Sequence, residues 1–116
     1  MPPMSETAPA AASLRDHPLL RRLRVELEQR YGDRLERLIL FGSRARGDAR
    51  ADSDWDVAVM VRGYDGNLEE AFRLADLSYD LLLETGEVLS LKPFAPEEME
   101  AQTLFMHNLR EEGVAV

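Results

Sequence analysis

The chain has 116 residues, 45% hydrophobic and 31% charged, with no cysteine and a formal charge of −8. That length suits a single compact domain with one core and leaves no room for a separate substrate-binding domain. The absence of cysteine excludes a disulfide scaffold, a thiolate nucleophile and a thiolate zinc site and fits a reducing, cytoplasmic setting, while the acidic balance weighs against sequence-independent nucleic-acid binding.

Residues 1–13, MPPMSETAPAAAS, are rich in Pro, Ala and small polar residues and have no period. They read as a flexible N-terminal tail ahead of one domain over 14–116. They also lack the basic flank and apolar core of a signal peptide. Asp16 is placed to cap a helix with Pro18 in its first turn, and Leu20, Leu23, Leu27 and Tyr31 recur at helical spacing up to a stop at Gly32. Leu35 to Phe41 is short, ends in the run Leu38-Ile39-Leu40-Phe41, and predicts a buried strand. Residues 42–53 predict a loop with room for one helical turn.

Asp54 to Val61 predicts a second strand, with Asp54, Asp56, Ala58 and Met60 on one face and Trp55, Val57, Val59 and Val61 on the other. Its Val57–Val61 segment is the longest apolar run, far short of the ~18 residues that span a membrane. Gly63 to Gly66 predicts a turn, and Asn67 with Glu70 a capping box. Leu68, Phe72, Ala75, Tyr79 and Leu82 form an apolar stripe on a helix that ends at Gly86. Val88 to Phe94 predicts a third strand, which Pro93 places at a sheet edge. A final helix is expected from Pro96 through Met99, Gln102, Phe105, Met106 and Leu109 to Gly113. The order α-β-(short turn)-β-α-β-α predicts an α/β (α+β) fold, a small mixed β-sheet flanked by helices. The link between the first two strands is too short for a comfortable crossover, so a wholly parallel sheet is not expected.

The chemistry concentrates between Phe41 and Val61. Asp54 and Asp56 point to one side of a strand with Cα atoms about 6.5–7 Å apart. Two carboxylates ~4 Å apart repel by about 4 kcal/mol at an effective dielectric of ~20. Either one takes up a proton or a divalent cation neutralises the pair. An oxygen-only site of this kind suits Mg²⁺ or Mn²⁺, with water and substrate phosphate completing the shell. Gly42-Ser43 follows a strand directly; glycine allows close backbone approach, and the amides and the Ser43 hydroxyl can donate to phosphate. Arg44 and Arg46 lie on the same loop and can counter phosphate charge. Taken singly, these are a strand end, a turn and a solvated loop. In combination, Gly42-Ser43, ten residues, then Asp54-Trp55-Asp56, they form a specific pattern.

This pattern resembles the nucleotidyltransferase superfamily that includes DNA polymerase beta, and within it the minimal nucleotidyltransferases (MNT). The flanks Arg44-Ala45-Arg46-Gly47 and Ser53 are family-like, and the likeness in element order runs from about residue 15 to 113. The resemblance implies that Asp54 and Asp56 hold Mg²⁺ and are the catalytic acids, and that Gly42 and Ser43 contact the triphosphate of ATP. It implies attack of a hydroxyl on the α-phosphorus with release of pyrophosphate. It also implies a partner: MNT proteins pair with helical HEPN proteins as antitoxin and toxin, and some transfer AMP to a tyrosine of that partner. One departure stands out. Catalytic members bring a third carboxylate from the next strand, where this chain reads Val88-Leu89-Ser90-Leu91-Lys92, with Ser90 at the approximate place of the acid and Glu84 and Glu87 ahead of it. Two readings therefore follow, an AMP-transferring enzyme and a degenerate module that masks a HEPN partner without turnover. A homo-oligomer is compatible with either.

His17 and His107 lack a second histidine at ligand spacing and read as solvated surface. Trp55 reads as core, facing away from Asp54 and Asp56. Tyr31 and Tyr79 fit apolar stripes, and Glu97, Glu98 and Glu100 read as a helix-start charge cluster.

Overall fold

In the computed structural model, which describes residues 14–116, helix α1 (Pro18–Tyr31) leads through a 3-10 turn (Gly32–Arg34) into strand β1 (Leu35–Phe41). The expected tail over 1–13 lies outside the described residues. A short helix α2 (Ser43–Arg46) precedes strand β2 (Trp55–Val61), and helix α3 (Leu68–Thr85) carries the chain to strand β3 (Leu89–Phe94). A 3-10 turn (Pro96–Glu100), helix α4 (Leu104–Glu112) and strand β4 (Val114–Ala115) complete the fold.

The four strands form one sheet in the order β3-β2-β1-β4. β2 runs antiparallel to β1, β4 runs antiparallel to β1, and β3 runs parallel to β2. The connection lengths account for this. The link from β1 to β2 holds only a four-residue helix, so the chain turns back beside itself, whereas the 18-residue α3 is long enough to carry a parallel crossover. The result is the mixed sheet flanked by helices expected from the sequence. β3 lies at an edge, where Pro93 can forgo its ladder donor. Strand β4 was not expected; a two-residue strand has no period to read.

One face of the sheet packs Leu38, Leu40, Val57, Val59 and Val61 against Leu20, Leu23 and Leu27 of α1 and Leu74, Leu77 and Leu81 of α3. The other face packs Ile39, Ala58 and Met60 against Met106 and Leu109 of α4. Among the described residues no polar or charged side chain is buried in this core, and no helix is long and apolar enough to cross a membrane.

Four expectations are corrected. The cap of α1 is His17, not Asp16: its Nδ1 accepts from the Leu19 amide at 3.1 Å, and Asp16 is exposed one residue earlier. His17 is therefore not solvated surface, since its half-buried ring lies 4.6 Å from that of Trp55, while His107 is exposed as expected. The final helix is broken between Glu100 and Leu104. Thr103 starts a new helix by accepting from the Met106 amide at 3.1 Å, and Glu98 caps the 3-10 turn through the Ala95 amide at 2.8 Å. Most of the stripe expected to bury α3 faces outward instead: Leu68, Phe72 and Tyr79 are 60–69% exposed, Ala75 is exposed and only Leu82 is half-buried, with the exposed Leu83 beside them. Helix α3 carries two apolar stripes, and the sheet covers the one built from Leu74, Leu77 and Leu81. Glu70 and Glu84 flank that inner side and tie α3 to α1, through the Tyr31 hydroxyl at 2.5 Å and Arg22 at 3.0 Å.

The two stripes are separable by denaturation. Leu77→Ala is expected to lower stability by about 2–5 kcal/mol, as a buried leucine deletion does. Phe72→Ala should change it by no more than about 0.5 kcal/mol, as a surface substitution does. Urea midpoints of the two variants check this; equal losses would restore the expected stripe to the core.

Candidate active site

The antiparallel register of β1 and β2 sets the site. Phe41, the last residue of β1, lies opposite Asp56 at the start of β2. The chain leaves β1 through Gly42 at φ 75°, ψ −157°, a conformation that L side chains avoid. A Cβ on Gly42 would stand 2.6 Å from Oδ2 of Asp56. Glycine is thus needed at this position both for the turn and for the carboxylate that presses on it. Ser43 opens α2 with no side chain capping its first amides, because the N-cap residue is glycine. The amides of Ala45 and Arg46 donate to the Gly42 carbonyl at 3.1 Å, which leaves those of Ser43 and Arg44 for an incoming acceptor.

Asp56 is half-buried and Asp54 is exposed just before the ladder. Burial raises the Asp56 carboxyl above its ordinary range, the neighbouring charge of Asp54 raises it further, and Lys92 opposes both. The two acids offer hard oxygen donors to one cation, and their mutual repulsion is the feature such a cation relieves. Among the described residues there is no group of three His, Cys, Asp or Glu able to hold a metal.

Strand β3 supplies no third acid. Ser90 lies directly opposite Asp56 in the parallel register, and Lys92 opposite Ala58. The acids near the strand start are both engaged elsewhere: Glu87 accepts from the Trp55 indole at 3.1 Å, and Glu84 pairs with Arg22. Trp55 itself is buried on the α1/α3 face, turned away from the acids as expected.

Of the two loop arginines, Arg44 bonds the carbonyl of Ser53 at 3.0 Å and that of Ala51 at 3.2 Å, and its guanidinium lies 4.3 Å from the centre of the Trp55 ring. It clamps the 51–53 segment. Arg46 pairs with Asp48 at 3.3 Å and reaches Glu112 of α4 at 3.6 Å. It borders a cavity of about 220 Å³ that opens beside Gly42, with Phe41, Phe105 and Asn108 in its wall. The rings of Phe41 and Phe105 meet edge-on at 5.4 Å. The structure thus sets Asp56 against Gly42, the residue that leads into α2, leaves Asp54 exposed just before β2, and sets Arg44 and Arg46 around the loop. Two neighbours went unread in the sequence. The α4 wall depends on where the last helix breaks. Lys92 was legible, as the only lysine in the chain and two residues beyond Ser90 on the same strand face.

A family model described as "Polymerase beta, Nucleotidyltransferase" matches residues 25–114. The chain is 33% identical over 89 residues to "Putative protein adenylyltransferase MJ0604" of Methanocaldococcus jannaschii, covering 75% of this chain and 83% of that protein. Its fold is similar to that of a chain in a crystal structure of a toxin-antitoxin with AMP-PNP, with a TM-score of 0.56 and 21% identity, over 78% of this chain and 67% of that one.

The raised carboxyl of Asp56 fixes the sign of a pH effect. Below the unfolded value of 3.8 the group is protonated in both states and contributes nothing. Above the folded value it is ionised in both, and the native state bears the full cost, so this contribution to stability falls as pH rises through the window between them. Asp56→Asn is therefore expected to raise the melting temperature at pH 7, with the gain shrinking toward zero at acid pH. Melting curves over that range check it; a gain independent of pH would refute the charge account.

Proposed function

The chain belongs to the polymerase beta-type nucleotidyltransferase family, and from that premise we propose that it transfers AMP from ATP, with Mg²⁺, to a hydroxyl on a HEPN-type partner protein, as the antitoxin of a toxin-antitoxin pair. The observation that carries this reading is the contact of Asp56 with the Gly42 turn. It sets a carboxylate oxygen beside a backbone turn within one small volume, which supports a site for a cation and a phosphate together. The likeness to a protein named as an adenylyltransferase supports AMP as the transferred group, and the fold shared with a toxin-antitoxin chain supports the setting.

The residues divide the work by charge. The first amides of α2 and the Ser43 hydroxyl donate to the oxygens of the triphosphate. Asp54 and Asp56 would hold Mg²⁺, which when bound would neutralise phosphate charge and favour in-line displacement at the α-phosphorus. The acceptor oxygen forms the new bond to that phosphorus, pyrophosphate leaves, and the acceptor proton passes to water or to a group of the partner, because Ser90 offers no base. The acceptor is a tyrosine hydroxyl in this reading.

Ser90 also favours a second reading, in which the same site binds nucleotide while the chain masks its partner without turnover. The outward stripe of α3 supports a partner in both. Leu68, Phe72, Tyr79 and Leu83 present an apolar helix face, with the exposed acids Asp76 and Asp80 along one flank.

Two measurements test the proposal. Mg²⁺ with ATP is expected to raise the melting temperature of the wild-type chain, and the combined variant Asp54→Ala, Asp56→Ala should abolish the rise. Co-expression with a HEPN-type protein from the neighbouring gene should add one or more adenylyl groups to that protein, seen by intact mass, with wild type but not with the double variant. A tight complex with an unmodified partner, unaffected by the double variant, would establish masking instead.

A further inference from the structure

Lys92 is the one lysine among the fourteen basic residues of the chain. Helix faces and loops use arginine throughout. The lysine stands on β3, next after Ser90 on the same face of the strand. That is the face of Asp56, Phe41 and Phe94, whereas Leu89 and Leu91 pack on the opposite side. Lys92 lies opposite Ala58, one same-face step behind the Asp56–Ser90 pair. Its head is exposed, and among the described residues it makes no ion pair, although its charge acts on Asp56. Deeper along the strand, Phe94 is stacked on Phe105 at 5.6 Å. The long stem therefore has its open course toward the acids. A lysine is a flexible point charge with three donors, suited to a phosphate oxygen rather than to a fixed fork.

The sign of the site follows. A third acid at position 90 would add negative charge beside Asp56; a serine there and a lysine two residues on leave β3 with a cation and no acid on that face. Resting on the nucleotidyl-transfer reading above, we infer that Lys92 is a further substrate-binding residue. Its ammonium contacts the terminal oxygens of the phosphate chain on the β3 side, across from the amides of Ser43 and Arg44, and offsets their charge. The ordinary role of an edge-strand lysine, discouraging pairing with other strands, is the competing account.

A chain with one lysine permits a direct test. An ATP acyl phosphate presents a reactive carbonyl at the end of the phosphate chain; an amine that lies there attacks it, forms an amide and expels ATP. With Mg²⁺, the wild-type chain should be acylated at Lys92, and excess Mg²⁺–ATP should block the labelling. Labelling of the N-terminal amine, resolved by peptide mass, should be unaffected. Lys92→Ala should keep the unliganded melting temperature and weaken Mg²⁺–ATP binding about tenfold or more, as the loss of a charged hydrogen bond does. Lys92→Arg should recover much of that affinity. If Mg²⁺–ATP binds in a manner dependent on Asp54 and Asp56, yet Lys92 is not protected and Lys92→Ala binds as wild type, the inference is overturned and the edge-strand account stands. If the wild-type chain shows no Mg²⁺–ATP response at all, the nucleotidyl-transfer reading falls first and takes this inference with it.

Discussion

The close approach of the Asp56 carboxylate to the Gly42 backbone is the constraint on which the site depends. It arises because β1 and β2 are antiparallel and their register sets Phe41 against Asp56. The end of one strand and the start of the next then share a corner of the sheet. A side chain at position 42 would occupy the place of the carboxylate oxygen, and the positive φ there would strain any residue but glycine. One backbone position thus serves both the turn and the close seating of an acid.

The corner is held from outside the chemistry. Arg44 bonds the carbonyls of Ala51 and Ser53 and lies over Trp55, whose other ring neighbour is His17 and whose indole donates to Glu87. This stack, on the far face of the sheet from the acids, ties α1, the loop after α2 and the approach to β3 to a single residue. The core beneath is wholly apolar among the described residues, so fold stability does not draw on the acids. Asp56 is instead a liability to the folded state: burial and the neighbouring Asp54 both oppose its charge. A cation held there would relieve that cost.

Much of this was legible before any coordinates. The strands carry near-continuous apolar runs, Pro93 marks an edge, and the short link between β1 and β2 excludes a crossover. The Asp-x-Asp parity and the glycine at the strand end placed Asp56 and the turn on the correct elements, whereas Asp54, expected on the strand, stands just before it. What misled was local. Helix α3 has two apolar stripes, and periodicity alone does not say which one a sheet will cover; the buried one is accompanied by Glu70 meeting Tyr31 and Glu84 meeting Arg22, contacts 39 and 62 residues apart in the chain. Thr103 is an ordinary cap residue inside an apparently continuous helix, and its capping is what breaks that helix. β4 is a pairing of two residues and leaves no signal.

The misplaced stripe carries information of its own. A sequence that puts Leu68, Phe72, Tyr79 and Leu83 on the solvent side of an 18-residue helix keeps an apolar face that its own sheet does not need. The face lies on α3, on the opposite side of the sheet from the face that bears Asp56 and Ser90. A partner seated on the stripe would therefore leave the acid corner open, and an acceptor hydroxyl would have to come from another part of that partner or from a second copy of it. On the proposed reading, docking and transfer would be spatially separate. A change at Ser90 that removed turnover would leave the docking face untouched, and the masking reading needs nothing more than that separation.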